Sequence, residues 1–150
     1  MTVVSSLFPR LSRDEARLLS PLQLAYVGDS VHALLVRSYL IRRGLLVKDM
    51  HDAANRVVSA VSQYHAMQAL LPLLTPEEED IARRGRNAHP HHGAPKSASV
   101  GEYAGATGLE ALLGYLFLTG QEERLHALLP YILPDLQAED SASCQKNNCL

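Results

Sequence analysis

The sequence is short of cysteine. Its two cysteines, Cys144 and Cys149, are separated by four residues in a C-terminal stretch rich in Ser, Asn, Asp and Gln. Such a pair can bind a metal or form a disulfide, but no further cysteine accompanies it. We therefore interpret residues 134–150 as a disordered tail with incidental thiols.

Long apolar runs and an excess of charge are also missing. No apolar run reaches the roughly 18 residues that a membrane-spanning helix needs, and the first residues lack the pattern of a secretory signal. We therefore expect a cytoplasmic protein without a membrane segment. Because the formal net charge is only −2, any contact with nucleic acid requires a local basic patch.

What the sequence does contain is helical periodicity. The 150 residues are 47% hydrophobic, which is enough for one domain with a sizeable core over residues 1–133. No segment shows a convincing strand alternation, so we predict an all-α fold with about five to seven helices. The main predicted helices cover residues 21–43, 48–71, 76–84, 100–119 and 121–129, after a short amphipathic turn within the first twenty residues.

Turn and cap residues set these boundaries. Ser20-Pro21-Leu22-Gln23 has the pattern of a capping box with proline at the first helical position. Gly85 is predicted to end the third helix, and Pro130 to break or kink the fifth. Two prolines and a glycine make residues 86–99 a loop.

Two acids stand out in apolar, helix-compatible segments. Asp29 shares a helix face with Ala25 and Ala33, and Glu110 shares one with small residues at positions 106 and 114. Gly28 precedes Asp29, and a glycine inside a helix suggests a close backbone approach, because it costs about 1 kcal/mol relative to alanine. The alternatives are a salt bridge for Asp29 and a surface position for Glu110.

The pair suggests a shared metal site. Two carboxylates that meet across a helix contact repel each other unless a cation lies between them or one is protonated. Oxygen ligands suit Mg²⁺, with Mn²⁺ as a substitute. Asp29 and Glu110 are thus the candidate catalytic and metal-binding residues, and phosphodiester hydrolysis is a natural reaction class.

A basic cluster favours a phosphate-containing substrate. The candidate RNA-binding residues are Arg83, Arg84, Arg86, Asn87 and Lys96. Arginine forks match phosphate geometry, and asparagine can donate to phosphate or sugar oxygens. The alternative is a solvated helix end, where arginine is favoured in any case.

The histidines and tyrosines are not interpreted as metal ligands or as base-stacking residues. A zinc site in the 89–92 segment is disfavoured, because no cysteine lies near these histidines; they add pH-dependent positive charge to a loop. The tyrosines in apolar helical segments are interpreted as packing residues: Tyr26, Tyr64, Tyr103 and Tyr115.

Three motifs resemble those of the ribonuclease III family. Residues 24–31 resemble its Gly-Asp signature, residues 109–114 resemble its second acidic motif, and Arg84-Gly85-Arg86-Asn87-Ala88 lies between them. No double-stranded-RNA-binding domain follows, which is typical of the shorter branch, mini-ribonuclease III. The likeness covers roughly residues 20–130 and identifies Asp29 and Glu110 with the family's metal-binding acids.

The resemblance implies a ribonuclease III-like catalytic domain that forms a homodimer. It implies Mg²⁺-dependent endonucleolytic cleavage of double-stranded RNA to 5′-phosphate products, in maturation of the large-subunit (23S) ribosomal RNA precursor, with possible ribosomal-protein assistance. Ala25 and Thr107 stand where full-length relatives carry two further acids. The rival readings are a non-catalytic double-stranded-RNA-binding or ribosome-associated helical module and, more distantly, a protein–protein adaptor.

Overall fold

Seven α-helices form the described part of the chain. The computed structural model describes residue 8 and residues 10–88 and 99–133. The helices are α1 (Arg13–Leu18), α2 (Pro21–Ile41), α3 (Val47–Val57), α4 (Ala60–Leu70), α5 (Pro76–Arg86), α6 (Val100–Leu118) and α7 (Glu122–Ile132). A 3₁₀ turn at Leu71–Leu73 follows α4, and these ranges contain no strand. The all-α prediction is confirmed; the predicted tail over 134–150 lies outside the described residues.

The predicted start of α2 is confirmed in atomic detail. The Ser20 hydroxyl accepts a hydrogen bond from the Gln23 amide at 3.1 Å, and the Gln23 side chain accepts one from the Ser20 amide at 2.9 Å. This reciprocal capping box satisfies two backbone donors that a helix start otherwise leaves unpaired.

Three predicted boundaries are wrong. The helix expected over 48–71 is two helices, because Ser59 adopts an extended conformation and its side chain caps α4 by accepting from the Ser62 amide. α5 continues past Gly85, whose missing side chain lets it pack directly against α6. α7 does not end at Leu129 but continues through Pro130 to Ile132, and Leu129 and Ile132 bury their side chains in the core; whether the helix is kinked at Pro130 stays a prediction.

α6 is the central helix of the domain. α2, α4 and α5 all pack against it, and its leucines at positions 109, 112, 113 and 116 have no solvent exposure. A helix that is apolar on all sides is stable only when neighbours cover it on all sides. No helix in the described ranges is long and apolar enough to cross a membrane.

α2 and α6 touch through their backbones. A Cβ atom added to Gly28 would lie 1.6 Å from the carbonyl oxygen of Glu110, and one added to Gly114 would lie 2.0 Å from that of Leu24. Only glycine at both positions permits this approach, as the sequence suggested for Gly28. The crossing of α2 and α6 therefore places Asp29, the residue after Gly28, next to Glu110 on α6.

Candidate active site

The helix crossing brings Asp29 and Glu110 together. Asp29 acts on the Glu110 carboxyl, so the two carboxyl groups lie close together. Burial, and next the charge of Asp29, raise the pKa of Glu110 to about 7. Asp29 lies on the exposed side of α2, whereas Glu110 is half-buried.

Two residues that the sequence analysis missed complete the site: His32 and Gln63. His32 is 1% exposed, one turn after Asp29 on α2, and Gln63 is 3% exposed on α4. The Gln63 amide also lies against Glu110, where it acts to lower the pKa of that carboxyl against the larger effect of burial. The sequence did contain a signal for these two site residues, because each is a polar residue at a core position of a largely apolar helix.

His32 is neutral in this environment. Burial lowers its pKa to about 4, although the charge of Asp29 acts in the opposite direction. Gln63 Nε2 donates to the carbonyl of Val58 at 3.3 Å and lies 3.3 Å from Nδ1 of His32. Because a carbonyl can only accept, Nε2 of Gln63 faces Val58, and Nδ1 of His32 accepts from it in the tautomer that carries its proton on Nε2.

The donor set suits a hard divalent cation. Asp29 and Glu110 offer oxygens whose mutual repulsion a cation would remove, and Mg²⁺ needs few carboxylates because it retains water. Within the described ranges no cluster of three or more His, Cys, Asp or Glu forms a metal site. Ala25 is buried without a polar group, and the Thr107 hydroxyl donates to the carbonyl of Tyr103 at 3.0 Å.

The basic residues at the end of α5 differ in their contacts. Arg83 forms an ion pair with Asp80. Arg84 donates to the carbonyls of Arg17 and Leu19 at 3.0 and 3.1 Å, which ties α5 to the end of α1.

Arg86 and Asn87 are the next two candidate RNA-binding residues, and their side-chain contacts differ from those of Arg83 and Arg84. Arg86 and Asn87 are exposed, and their side chains have no polar partner among the residues that the structure describes. Lys96 and the histidines at 89, 91 and 92 lie outside the described residues.

The tyrosines divide into buried and exposed positions. Tyr115 is fully buried and its hydroxyl donates to Glu77 at 2.6 Å, while Tyr64 and Tyr103 are half-buried. The interpretation as a packing residue is confirmed for Tyr115, which belongs to the hydrophobic core. For Tyr26 it is wrong, because this side chain is 81% exposed on the outer face of α2.

Comparison with known proteins defines the class of this domain. The family model described as "Ribonuclease III domain" matches residues 22–121, a span that includes both acids and all of α3 to α6. The chain is 52% identical to the Mini-ribonuclease 3 of Symbiobacterium thermophilum over 74% of this chain and 85% of the relative. It is 41% identical to the Mini-ribonuclease 3 of Brevibacillus brevis, over 86% of this chain and 96% of that relative.

A solved structure agrees with the sequence relatives. The crystal structure of a Fusobacterium nucleatum protein superposes with a TM-score of 0.73 at 28% identity, covering 79% of this chain and 96% of that one. The chain belongs to the ribonuclease III family, in its mini-ribonuclease III branch, as the three motifs predicted. It is therefore placed among the endoribonucleases.

Proposed function

We propose that this protein hydrolyses phosphodiester bonds in double-stranded RNA with the help of Mg²⁺, for which Mn²⁺ can substitute, and leaves 5′-phosphate ends. The observation that carries the proposal is the contact between the Asp29 and Glu110 carboxyl groups at the α2–α6 crossing. These two residues would hold the cation. When bound, a divalent cation activates water and neutralises charge on a phosphoryl oxygen.

The chain's own residues prepare the site for that chemistry. Asp29 is exposed and accessible to RNA, whereas Glu110 is half-buried and held by the backbone contact at Gly28. Because the backbones of α2 and α6 touch, the fold fixes the separation of the backbone positions from which the two carboxyl groups extend. Such preorganisation is what an in-line displacement at phosphorus requires.

The RNA surface extends from the site along the end of α5. Arg86 and Asn87 offer donors without competing partners among the described residues. Arg83 can exchange Asp80 for phosphate, and Lys96 follows in the next segment. Arg84 contributes by holding α5 in place through its contacts with α1. Double-stranded RNA is recognised mainly by shape and by phosphate and 2′-hydroxyl contacts.

The dimer proposal is supported by an apolar face of α2 that the described residues leave exposed. Tyr26, Leu34 and Ile41 are 81%, 63% and 68% exposed, and Tyr26 borders a shallow apolar cavity lined by Leu19 and Leu118, among others. An isologous two-fold interface along this face would cover these side chains and give two sites for two strands. Sedimentation equilibrium checks this, since the mass should be twice 16.4 kDa; a single-chain mass at micromolar concentration contradicts it.

The biological setting follows the family resemblance. We assign the protein to cytoplasmic maturation of the 23S ribosomal RNA precursor, with a ribosomal protein as a helper that presents the substrate. The relatives named Mini-ribonuclease 3 support the ribonuclease class on which this assignment builds. Mapping the precursor ends in cells depleted of the protein tests it; unchanged 23S ends would overturn it.

Metal removal tests the reaction itself. We expect the protein to cut a long RNA duplex in Mg²⁺ or Mn²⁺ and to stop completely in EDTA, with activity restored when Mg²⁺ is added back. Retained binding without any cutting in Mg²⁺ would instead identify a non-catalytic RNA-binding module. Absence of binding at low salt would favour an adaptor that does not contact RNA.

Arg86→Ala tests the RNA surface. Loss of one phosphate contact should weaken duplex binding and reduce the slope of log affinity against log salt by about 1. Arg10→Ala is the charge-matched control, because Arg10 pairs with Glu122 and lies beside Gly120, beyond the far end of α6. The surface is assigned wrongly if both variants bind RNA with the same salt slope.

A further inference from the structure

Arg56, in the last turn of α3, has an exposed side chain without a partner. Within the described part of the chain its guanidinium forms no hydrogen bond and no ion pair. Asp52 lies one turn earlier on the same helix, at the spacing that favours an ion pair, but the two side chains do not pair. The donors of the Arg56 guanidinium are therefore available to a ligand.

The end of α3 does not require this charge. Arginine is favoured in the last turn of a helix because it interacts with carbonyls that the helix leaves unpaired. Here the Arg56 carbonyl accepts from the hydroxyls of Ser62 and Ser59, at 2.7 and 3.1 Å. The Val58 carbonyl accepts from Nε2 of Gln63 at 3.3 Å. Side chains from the start of α4 thus satisfy these carbonyls, and capping leaves the guanidinium unused.

α3 runs back along α2 towards the acid pair. In its first turn, Val47 lines a cavity together with Ile41 at the end of α2. At its other end, Gln63 joins the Val58 carbonyl to Nδ1 of His32 on α2, with both distances at 3.3 Å. Because His32 belongs to the candidate site, the last turn of α3 is the end nearest to that site.

α3 also lies on the face of α2 that carries Asp29. Asp29, Val36 and Leu40 share one helix face, because successive members are seven and four residues apart. Leu40 is 1% exposed and lines a cavity with Ala54 of α3. A nucleic-acid strand that lies over Asp29 and continues on this side therefore meets the end of α3, where Arg56 is exposed.

The acid pair makes cations necessary on both of its sides. Asp29 and Glu110 repel the phosphates that flank the bond to be cut. On the α5 side Arg86 meets this need, because a Cβ added to Gly108, two residues before Glu110, would lie 3.6 Å from the Cβ of Arg86. Arg56 has the corresponding position on the side of α3 and α4.

We propose that Arg56 binds a backbone phosphate of the RNA strand that is cut, on the side of the acid pair opposite to Arg86. The guanidinium fork matches the geometry of a phosphate. Contacts on both sides would fix the direction in which the strand crosses Asp29 and Glu110. This inference rests on the proposed cleavage of double-stranded RNA.

Binding of a long RNA duplex in EDTA, where cutting does not interfere, tests the assignment. Arg56→Ala should bind about tenfold more weakly than the wild type and lower the slope of log affinity against log salt by about 1. Arg56→Lys keeps the charge and should retain the wild-type slope. Arg10→Ala is again the charge-matched control, and circular dichroism establishes that each variant is folded. Equal slopes for Arg56→Ala and Arg10→Ala would overturn the assignment.

A neutral phosphate analogue locates the contact. Single methylphosphonate groups placed along the cut strand remove one backbone charge at a time. At the phosphate that Arg56 contacts, this change should weaken binding by the wild type and have no further effect on Arg56→Ala. The position coupled to Arg86→Ala should lie on the other side of the cleaved bond. The inference is wrong if no position is coupled to Arg56, or if both positions lie on the same side.

Failure of the proposed function is distinguishable from failure of this contact. A wild type that binds the duplex but does not cut it in Mg²⁺ defeats the proposed cleavage. The coupling between Arg56 and a single phosphate is measured by binding alone, so it still decides whether Arg56 contacts RNA.

Discussion

Asp29→Asn is expected to abolish RNA cleavage while leaving the protein folded and able to bind RNA. The substitution keeps the shape of the side chain but removes the charge that would hold the proposed cation. Metal ions contribute several kcal/mol of transition-state stabilisation, and a loss of about 4 kcal/mol corresponds to roughly a thousandfold in rate. Because Asp29 is exposed, its replacement leaves the core intact.

The measurement is a single-turnover cleavage assay on a long RNA duplex in Mg²⁺, with filter binding of the same duplex in parallel. Asp52→Asn is the control, since Asp52 is an exposed acid on α3 that no site contact uses. It should cut at the wild-type rate. Equal cutting by Asp29→Asn and the wild type would place the catalytic centre elsewhere.

Stability adds a second readout to this experiment. In the metal-free protein the charge of Asp29 acts directly on Glu110, so removing that charge relieves a repulsion. We therefore expect the Asp29→Asn variant to unfold in EDTA at a temperature no lower than that of the wild type. An inactive variant that is also unstable would indicate a structural role for Asp29 and not a catalytic one.

Local signals in the sequence predicted the helices and the acid pair well. Ser20 and Gln23 form a capping box whose geometry depends on four consecutive residues, so its pattern can be read directly. The glycine next to Asp29 predicted a close helix contact because glycine inside a helix has an energetic cost. The break at Ser59 was missed because the flanking apolar residues continue the helical period across it.

The remaining features depend on tertiary structure. Gln63 becomes part of the site only because α4 packs on α6 next to α2, and no spacing along the chain encodes that arrangement. The exposure of Tyr26 was missed for a related reason. An apolar segment predicts burial, but it does not distinguish a face that the same chain covers from one that stays exposed, as the outer face of α2 does among the described residues.

Gly28→Ala is expected to prevent stable folding. The added Cβ would lie 1.6 Å from the Glu110 oxygen, 2.5 Å from its carbonyl carbon and 2.9 Å from the Gly114 nitrogen. All three are backbone atoms, so no side chain can rotate to make room and the helices must separate. Overpacking that side chains can absorb costs about 1–3 kcal/mol, and backbone overlap at the centre of the fold should exceed about 4 kcal/mol.

That loss is comparable with the whole stability of a small domain, about 5–15 kcal/mol. Urea denaturation measures it, and Gly101→Ala is the matched control on α6, because a Cβ there meets nothing within 4 Å. This control should gain up to about 1 kcal/mol from helix propensity. A loss below about 1 kcal/mol for Gly28→Ala would mean that α2 and α6 do not touch. Separation of α2 from α6 would also move Asp29 away from Glu110. Any Gly28→Ala protein that still folds should therefore be inactive.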